Sequence, residues 1–253
     1  MKTKHAENFI RDAATNFTDY RSFVSMLEKY VKDNLDLQHK QNPIVKRLNT
    51  LDPRDVLWAV KEYSQFSNEA IHMLLDARVR THEWKKLAEE IDRNIEEEKG
   101  KETLGIPHLE IMRRGYRLSF EFDVNNYEAS EITKSFLHSM RKIFKTKDNA
   151  FQSGALLAFE SVSIPEFYVL DSLVEKCENH LHTPKRNEYT AEYIKGHKFF
   201  EIGHREGLLN AIEGYIKTDQ ATDFATGYLA VCVTLSNWWN GLNDSITFNR
   251  HAA

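Results

Sequence analysis

Three side chains between residues 197 and 204 have the types and spacing of a metal site. His197, Glu201 and His204 stand at positions i, i+4 and i+7, so they project from one face if this stretch is helical. Ile194 and Phe200 are among the apolar residues that share this face, which is therefore expected to be buried. Burying two imidazoles and a carboxylate without partners is costly, and one metal ion can satisfy all three. The stretch predicts part of a metal centre.

Two further segments place carboxylates or imidazoles on apolar faces. Glu69 and His72 have the i, i+3 spacing that carboxylate-bridged di-iron bundles use. Glu160 lies among leucine and phenylalanine residues, with no lysine or arginine within a helical turn. Each motif alone also fits a surface carboxylate or a hydrogen-bonded polar group in the core. One shared site explains all of them, and its predicted ligands are Glu62, Glu69, His72, Glu160, His197, Glu201 and His204.

The donor types indicate which metal would bind. Imidazole and carboxylate without thiolate suit iron or manganese, and an excess of carboxylates suits two ions. A mononuclear zinc site would use three or four of these groups and leave the others without a partner. We therefore predict two iron ions, with an Fe/Mn pair as the alternative, and O2 as co-substrate. The corresponding activity is an O2-dependent oxidoreductase that needs a small organic substrate and an external reductant.

Composition excludes several other classes of protein. The 253 residues carry a net charge of −4, and basic and acidic residues are mixed along the chain, so no nucleic-acid footprint is visible. The most apolar run, near residues 224–235, is too short for a membrane span. Two cysteines exclude a disulfide framework. These features predict a cytoplasmic protein without nucleic-acid or membrane partners.

The elements that must position the candidate ligands are helices. Glycine and proline are sparse, Asp52-Pro53 has the pattern of a helix start, and no segment shows the alternation of a strand. Glu96-Glu97-Glu98-Lys99-Gly100 is interpreted as a solvated helix end. We predict one all-α domain over residues 1–253, in which residues 1–50 form N-terminal helices. The predicted helices span 6–37, 42–50, 53–76, 79–99, 107–121, 126–145, 149–177, 189–217 and 220–245.

The motifs resemble those of the heme-oxygenase-like di-iron oxidases, and the CADD-like branch is the most similar. The resemblance rests on Leu157-Ala-Phe-Glu160-Ser with Ile164-Pro165 after it, and on His197-x3-Glu201-x2-His204. Residues 87–119, with Pro107-His108-Leu-Glu-Ile-Met-Arg-Arg, also resemble a loop and helix shared with TenA-like thiaminases. The resemblance implies a heme-oxygenase-like (TenA/PqqC-like) multi-helix bundle without heme. It also implies an Fe2 cofactor and oxidation of amino-acid, amine or fatty-acid-like substrates.

The sequence departs from the family pattern at two places. Glu201 stands where the family usually has aspartate, and its side chain is one methylene longer. CADD-like members pair their first glutamate with a histidine seven residues on, whereas here Glu69 follows Glu62 at that distance and His72 comes three residues later. Which of these three residues bind together is left open.

Aromatic and apolar residues on the same helical faces predict a substrate pocket. Its predicted lining is Trp58, Phe66, Met73, Phe167, Tyr193 and Phe200. One alternative is a TenA/PqqC-like enzyme of cofactor metabolism without a metal, but a TenA-like hydrolase needs an activated cysteine, and neither Cys177 nor Cys232 has an activating neighbour in sequence. The other alternative is a non-catalytic helical interaction protein. A homodimer is compatible with each of these interpretations.

Overall fold

The described part of the chain is built from α-helices. The computed structural model describes residues 2–103, 105–146, 148–181 and 186–251, and within these ranges no strand occurs, which confirms the predicted all-α class. The α-helices are α1 (Lys2–Thr15), α2 (Tyr20–Asn34), α3 (Pro53–Arg80), α4 (Lys85–Glu98), α5 (His108–Phe120), α6 (Glu131–Phe144), α7 (Asn149–His180), α8 (Glu188–Ile212) and α9 (Ala221–His251).

The N-terminal helices differ from the prediction. The predicted continuous helix over residues 6–37 is wrong, because α1 ends at Thr15 and α2 begins at Tyr20. Asp19 caps the new start by accepting a hydrogen bond from the backbone N–H of Ser22 at 2.9 Å. The predicted helix at 42–50 is a short 3-10 helix over Val45–Thr50.

Helix α7 is the centre of the bundle. It packs against α9, α8 and α3, while α8 also packs against α5 and α4. Its buried residues lie on all sides, as expected for a helix surrounded by others. None of the described helices has both the length and the apolar composition needed to cross a bilayer. Through these contacts of α7 and α8, helices α3, α4, α7 and α8 come together around the candidate site.

The close contact between α7 and α9 depends on Gly154. A Cβ atom built on this residue would lie 2.0 Å from the backbone oxygen of Phe224. This separation is far below van der Waals contact, and the atom it would meet is backbone rather than a flexible side chain. The absence of a side chain at this position therefore lets the two most extensively packed helices approach each other.

We expect Gly154→Ala to lower the free energy of unfolding by about 2 kcal/mol or more, because the added methyl forces α7 and α9 apart. Gly203→Ala is the matched control, since its Cβ meets nothing within 4 Å and the residue is exposed on α8. The control should be neutral or stabilising by up to about 1 kcal/mol. Urea unfolding measures both variants, and equal stability of the two would contradict the packing argument.

A buried carboxyl group also joins α7 to α9. Glu166 is 1% exposed and its Oε1 accepts a hydrogen bond of 2.7 Å from the indole N–H of Trp239. Burial raises the pKa of Glu166 from 4.5 to about 8, although the hydrogen bond from Trp239 opposes this shift. At neutral pH the folded protein therefore keeps this carboxyl protonated.

The raised pKa predicts a specific pH dependence of stability. Between pH 4.5 and about 8 the unfolded chain loses the Glu166 proton and the folded chain keeps it, so stability falls as pH rises. Glu166→Gln removes this term. The free energy of unfolding of the variant relative to the parent should thus rise across this interval, by up to about 1.4 kcal/mol per pH unit. Glu7→Gln makes the same substitution at an exposed position and serves as the control. A flat difference for Glu166→Gln would refute the assignment.

Candidate metal centre

Two groups of potential metal ligands lie around one small cavity in the middle of the bundle. Glu98, His108 and His197 form the first group. Glu160, Glu201 and His204 form the second. In each group, one ligand atom from every residue lies within 4.8 Å of the others. All of these residues except His108 line the cavity, whose volume is about 50 Å³.

The first group is assembled from three helices. Glu98 is the last residue of α4, His108 is the first residue of α5, and His197 lies in the middle of α8. His108 Nδ1 lies 3.2 Å from Glu98 Oε1, and His197 Nε2 lies 3.7 Å from the same oxygen. The His108 and His197 rings are 4.7 Å apart between centroids. The arrangement is a cluster of two imidazoles and one carboxylate.

The orientation of His197 leaves an unshared electron pair facing this carboxylate. Its Nδ1 lies 2.7 Å from the backbone oxygen of Tyr193, which can only accept, so Nδ1 carries the proton. In the neutral ring Nε2 is then an acceptor directed at another acceptor, Glu98 Oε1. The Nε2 atom of His108 is also buried and has no hydrogen-bond partner. A cation near these atoms would satisfy groups that the protein leaves unpaired.

A short loop brings Glu98 and His108 together. Gly100 ends α4 in a left-handed conformation with φ +102°, which glycine adopts without strain. The Gly100 carbonyl then accepts a hydrogen bond of 2.8 Å from the N–H of Gly105. Thr103 Oγ1 donates to the Ile106 carbonyl at 2.6 Å. The loop thus folds back on itself and begins α5 beside the residue that ended α4.

The second group is buried more deeply. Glu160 on α7 and His204 on α8 are each 2% exposed, and Glu201 is 5% exposed. His204 Nδ1 lies 3.4 Å from Glu160 Oε2 and 3.8 Å from Glu201 Oε2. Glu201 Oε2 is buried and accepts no hydrogen bond. Two carboxylates and one imidazole therefore converge on a place from which solvent is almost excluded.

A carboxylate outside the group holds the His204 ring. Its Nε2 lies 2.6 Å from Glu97 Oε2, and Glu97 Oε1 accepts a hydrogen bond of 2.6 Å from Arg93. If Nε2–H donates to Glu97, Nδ1 presents its electron pair to Glu160 and Glu201. A carboxylate that orients the distal nitrogen of a histidine is the usual support of a metal ligand.

The charges of both groups follow from these contacts. Burial would raise the pKa of Glu98, but its contacts with His108 and His197 outweigh burial and lower the pKa below the usual range. Burial and the charge of Glu160 raise the pKa of Glu201 well above its ordinary value. Burial would lower the pKa of His204, whereas its contacts with Glu160, Glu201 and Glu97 outweigh burial and raise it. A proton on His204 Nδ1 therefore takes the position that a metal ion would otherwise occupy.

The structure places three of the predicted ligands elsewhere. Glu62 is fully buried and accepts hydrogen bonds from Tyr127 and from the backbone and side chain of Ser130, the residue that caps α6. Glu69 pairs with Arg141 at 2.6 Å, and His72 is exposed to solvent. None of the three lines the cavity or belongs to either group. Glu62 instead anchors the start of α6 to α3, and Glu69 joins the same two helices.

Two residues of the first group, Glu98 and His108, are not predicted from the sequence, and neither is the neighbouring Glu97. The charge pattern predicts a solvated helix end at Glu97 and Glu98, but Glu97 is 8% exposed and Glu98 lines the cavity. The sequence pattern assigns no ligand role to His108, which is 2% exposed. Because a loop separates Glu98 from His108, helical spacing cannot pair them. Proline immediately before His108 marks a helix start and was the available signal.

The predicted pocket lining is reproduced for half of its members. Phe66, Phe167 and Tyr193 line the cavity. The other three, Trp58, Met73 and Phe200, are not among the lining residues. Met73 is buried in the core, Trp58 is partly buried against it, and the Phe200 ring stacks on His108 at 5.6 Å. The structure thus brings together one predicted residue from each of α3, α7 and α8 and places the other three outside the cavity.

The cysteines do not resemble catalytic nucleophiles. Cys177 and Cys232 are both buried, and neither lines the cavity. Burial raises the pKa of Cys177 to about 12 and also raises that of Cys232. Thiolate chemistry in this cavity therefore has no support from the described side chains.

The fold and the cavity define an all-α bundle with a candidate site for two metal ions. Residues 22–245 match DUF3865, a domain of unknown function with a solved structure, and the chain belongs to this family. No curated protein sequence matched the chain.

Two crystal structures of a CADD-like protein of unknown function from Nostoc punctiforme, at 2.00 and 1.35 Å resolution, have a similar fold. Their TM-scores are 0.83 and 0.80, each at 24% identity. The similarity covers 90% of this chain and 98% and 96% of the two relatives. This confirms the predicted CADD-like fold.

Glu97→Gln tests the support of His204. Removing the carboxylate charge should weaken metal binding by about 10- to 100-fold, because His204 loses the charged acceptor that increases its basicity. Competition with a chromophoric chelator measures the affinity for Fe(II) or Mn(II). Glu96→Gln is the neighbouring control, since Glu96 is exposed and pairs with Lys99. Equal losses in the two variants would exclude a specific role for Glu97.

Proposed function

We propose that this protein is a non-heme di-iron oxidase or oxygenase that uses O2 to oxidise a small organic substrate. The observation that carries the proposal is the set of three imidazoles and three carboxylates around one buried cavity. In the neutral rings, His197 and His204 direct unshared pairs at carboxylate oxygens. The groups that fix their other nitrogens are the backbone carbonyl of Tyr193 and the carboxylate of Glu97.

The donor set fits iron. Glu98, His108 and His197 would hold one ion, and two histidines with one carboxylate is the set that non-heme Fe(II) oxygenases use. Glu160, Glu201 and His204 would hold the second ion, and a carboxylate-rich partner site is typical of di-iron bundles. An Fe/Mn pair is compatible with the same oxygen and nitrogen donors. Two such ions, when bound, would supply the redox chemistry that activates O2.

The side chains around the ligands would control access to the site. Tyr63, Phe66, Phe159, Phe167 and Tyr193 contribute aromatic surface to the cavity, and none of its described lining residues is lysine or arginine. The walls therefore favour an apolar or aromatic group over a free carboxylate and limit the entry of water. A volume of about 50 Å³ accommodates O2 or a few water molecules, so a larger substrate requires movement of the lining.

Turnover would need electrons and protons from outside the cavity. Reduction of O2 consumes more electrons than a small substrate supplies in a single hydroxylation, so the proposal includes an external reductant. The aromatic lining would keep the reacting groups away from bulk water during this delivery. The carboxylates and imidazoles of the two groups would hold the metal ions during this delivery.

Iron loading separates the two possible ligand sets. After anaerobic loading with Fe(II) and desalting, the parent should retain about two iron ions per chain. His108→Ala and His204→Ala should each retain clearly less, because each removes one imidazole from a different group. His72→Ala is the matched control and should load as the parent does, since His72 is exposed and outside both groups.

Loading should be followed by measurement of O2 uptake with a chemical reductant. Uptake should depend on iron in the parent and should fall in His108→Ala and His204→Ala. If all four proteins retain no iron, even when loading is repeated without desalting, the oxidase proposal is wrong. Iron retention that is lost in His72→Ala but kept in His108→Ala would return the site to the ligands predicted from helical spacing.

A further inference from the structure

A continuous set of easily oxidised rings runs from the cavity to the wall of a surface groove. Tyr63 on α3 lines the cavity, and its ring stacks on Trp239 of α9 at 6.0 Å between centroids, with an interplanar angle of 27°. Trp239 lies 4.9 Å from Trp238. Trp238 also lies 6.3 Å from Tyr63. The three rings are therefore in mutual contact.

The two ends of this set lie at chemically useful places. At the inner end, the Tyr63 ring is 6.4 Å from Phe167, whose ring stacks on His197 at 4.5 Å. At the outer end, Trp238 lines a surface groove of about 470 Å³ together with Glu131, Ser135 and other residues of α6 and α9. The rings thus connect the first ligand group with the wall of the groove, where Trp238 itself is 2% exposed.

Ordinary core packing does not require these residue types. Phenylalanine fills aromatic cores without a polar atom, whereas each tryptophan here needs a buried partner for its N–H. Trp238 donates to Thr133 Oγ1 at 2.9 Å, and Trp239 donates to Glu166 Oε1 at 2.7 Å. Tryptophan and tyrosine are also the aromatic side chains that lose one electron most readily. From the groove to the cavity the rings follow the order Trp238, Trp239, Tyr63, which would allow stepwise electron transfer.

We propose that Trp238, Trp239 and Tyr63 form an electron relay between the surface groove and the metal cavity. This inference rests on the proposed oxidase function, for which it supplies the route of the external electrons. Its partner at the groove is a one-electron reductant, and its partner at the cavity is an O2-derived oxidant at the metal centre.

The transfer balances one electron at a time. Tyr63 would give one electron to the oxidant in the cavity; its phenolic O–H bond would break, and the proton would pass to water in the cavity. Tyr63 then regains an electron from Trp239 and a proton from that water, which re-forms the O–H bond. Trp239 is reduced by Trp238, and Trp238 by the reductant in the groove. Both indole protons stay in their hydrogen bonds to Thr133 and Glu166.

The relay is testable in metal-free protein. Ser135→Cys places a thiol in the groove, where an attached ruthenium polypyridyl complex can be photo-oxidised by flash and quench, while Cys177 and Cys232 are buried. Electron paramagnetic resonance should then detect a tyrosyl radical. A Tyr63→Phe substitution on this background should abolish the signal, because it keeps the ring and removes the phenol. Trp238→Phe should strongly reduce it, because the first ring of the relay is lost.

Trp84→Phe is the matched control, since Trp84 stacks on Tyr215 at 4.5 Å outside the relay and should leave the signal intact. Circular dichroism checks that each variant is folded. If Trp238→Phe does not fold, the result for Tyr63→Phe decides between a relay and core packing. A tyrosyl signal that persists in Tyr63→Phe, or a parent radical confined to tryptophan, would show that these rings are only core packing. Because the protein carries no metal in this experiment, its outcome is independent of the iron-loading result.

Discussion

Electrostatic repulsion between buried acceptor atoms is the constraint on which the centre of this protein depends. Carboxylates on α4, α7 and α8 face the nitrogens of two histidines, so each group needs a proton or a cation between its members. The surrounding contacts keep these atoms close despite that repulsion. Gly154 allows α7 and α9 to approach, and the Arg93–Glu97 pair fixes one imidazole. These contacts therefore hold together a group of acceptor atoms that would otherwise repel each other.

The sequence predicted the part of the site that depends on a single helix. His197, Glu201 and His204 follow helical spacing, and the structure brings them to one cavity with Glu160. Glu69 and His72 have an equally good local pattern, but their surroundings differ, because Arg141 pairs with Glu69 and solvent surrounds His72. Helical spacing reports which residues share a face. It does not report which partner a neighbouring helix presents to that face.

The fold was predictable to a similar extent. Long periodic segments identified the helices of the bundle, because an apolar face must be buried whatever covers it. The break between α1 and α2 was missed because residues 16–19 contain neither glycine nor proline, and the cap by Asp19 is a weak signal in sequence. The contact at Gly154 and the inward orientation of Glu98 also could not be predicted from the sequence. Both are consequences of how helices distant in the chain meet.

The loop at residues 99–107 gives metal binding an entropic consequence. Glu98 and His108 lie at its two ends, so an ion bound by both would close it as a covalent cross-link closes a chain segment. Closing so short a segment restricts few conformations beyond those that its own hydrogen bonds already exclude. Because His108 is the first residue of α5, opening of the first turn of this helix would separate His108 from the ion. Amide hydrogen exchange in that turn would follow occupancy of the centre while the rest of the bundle stayed protected.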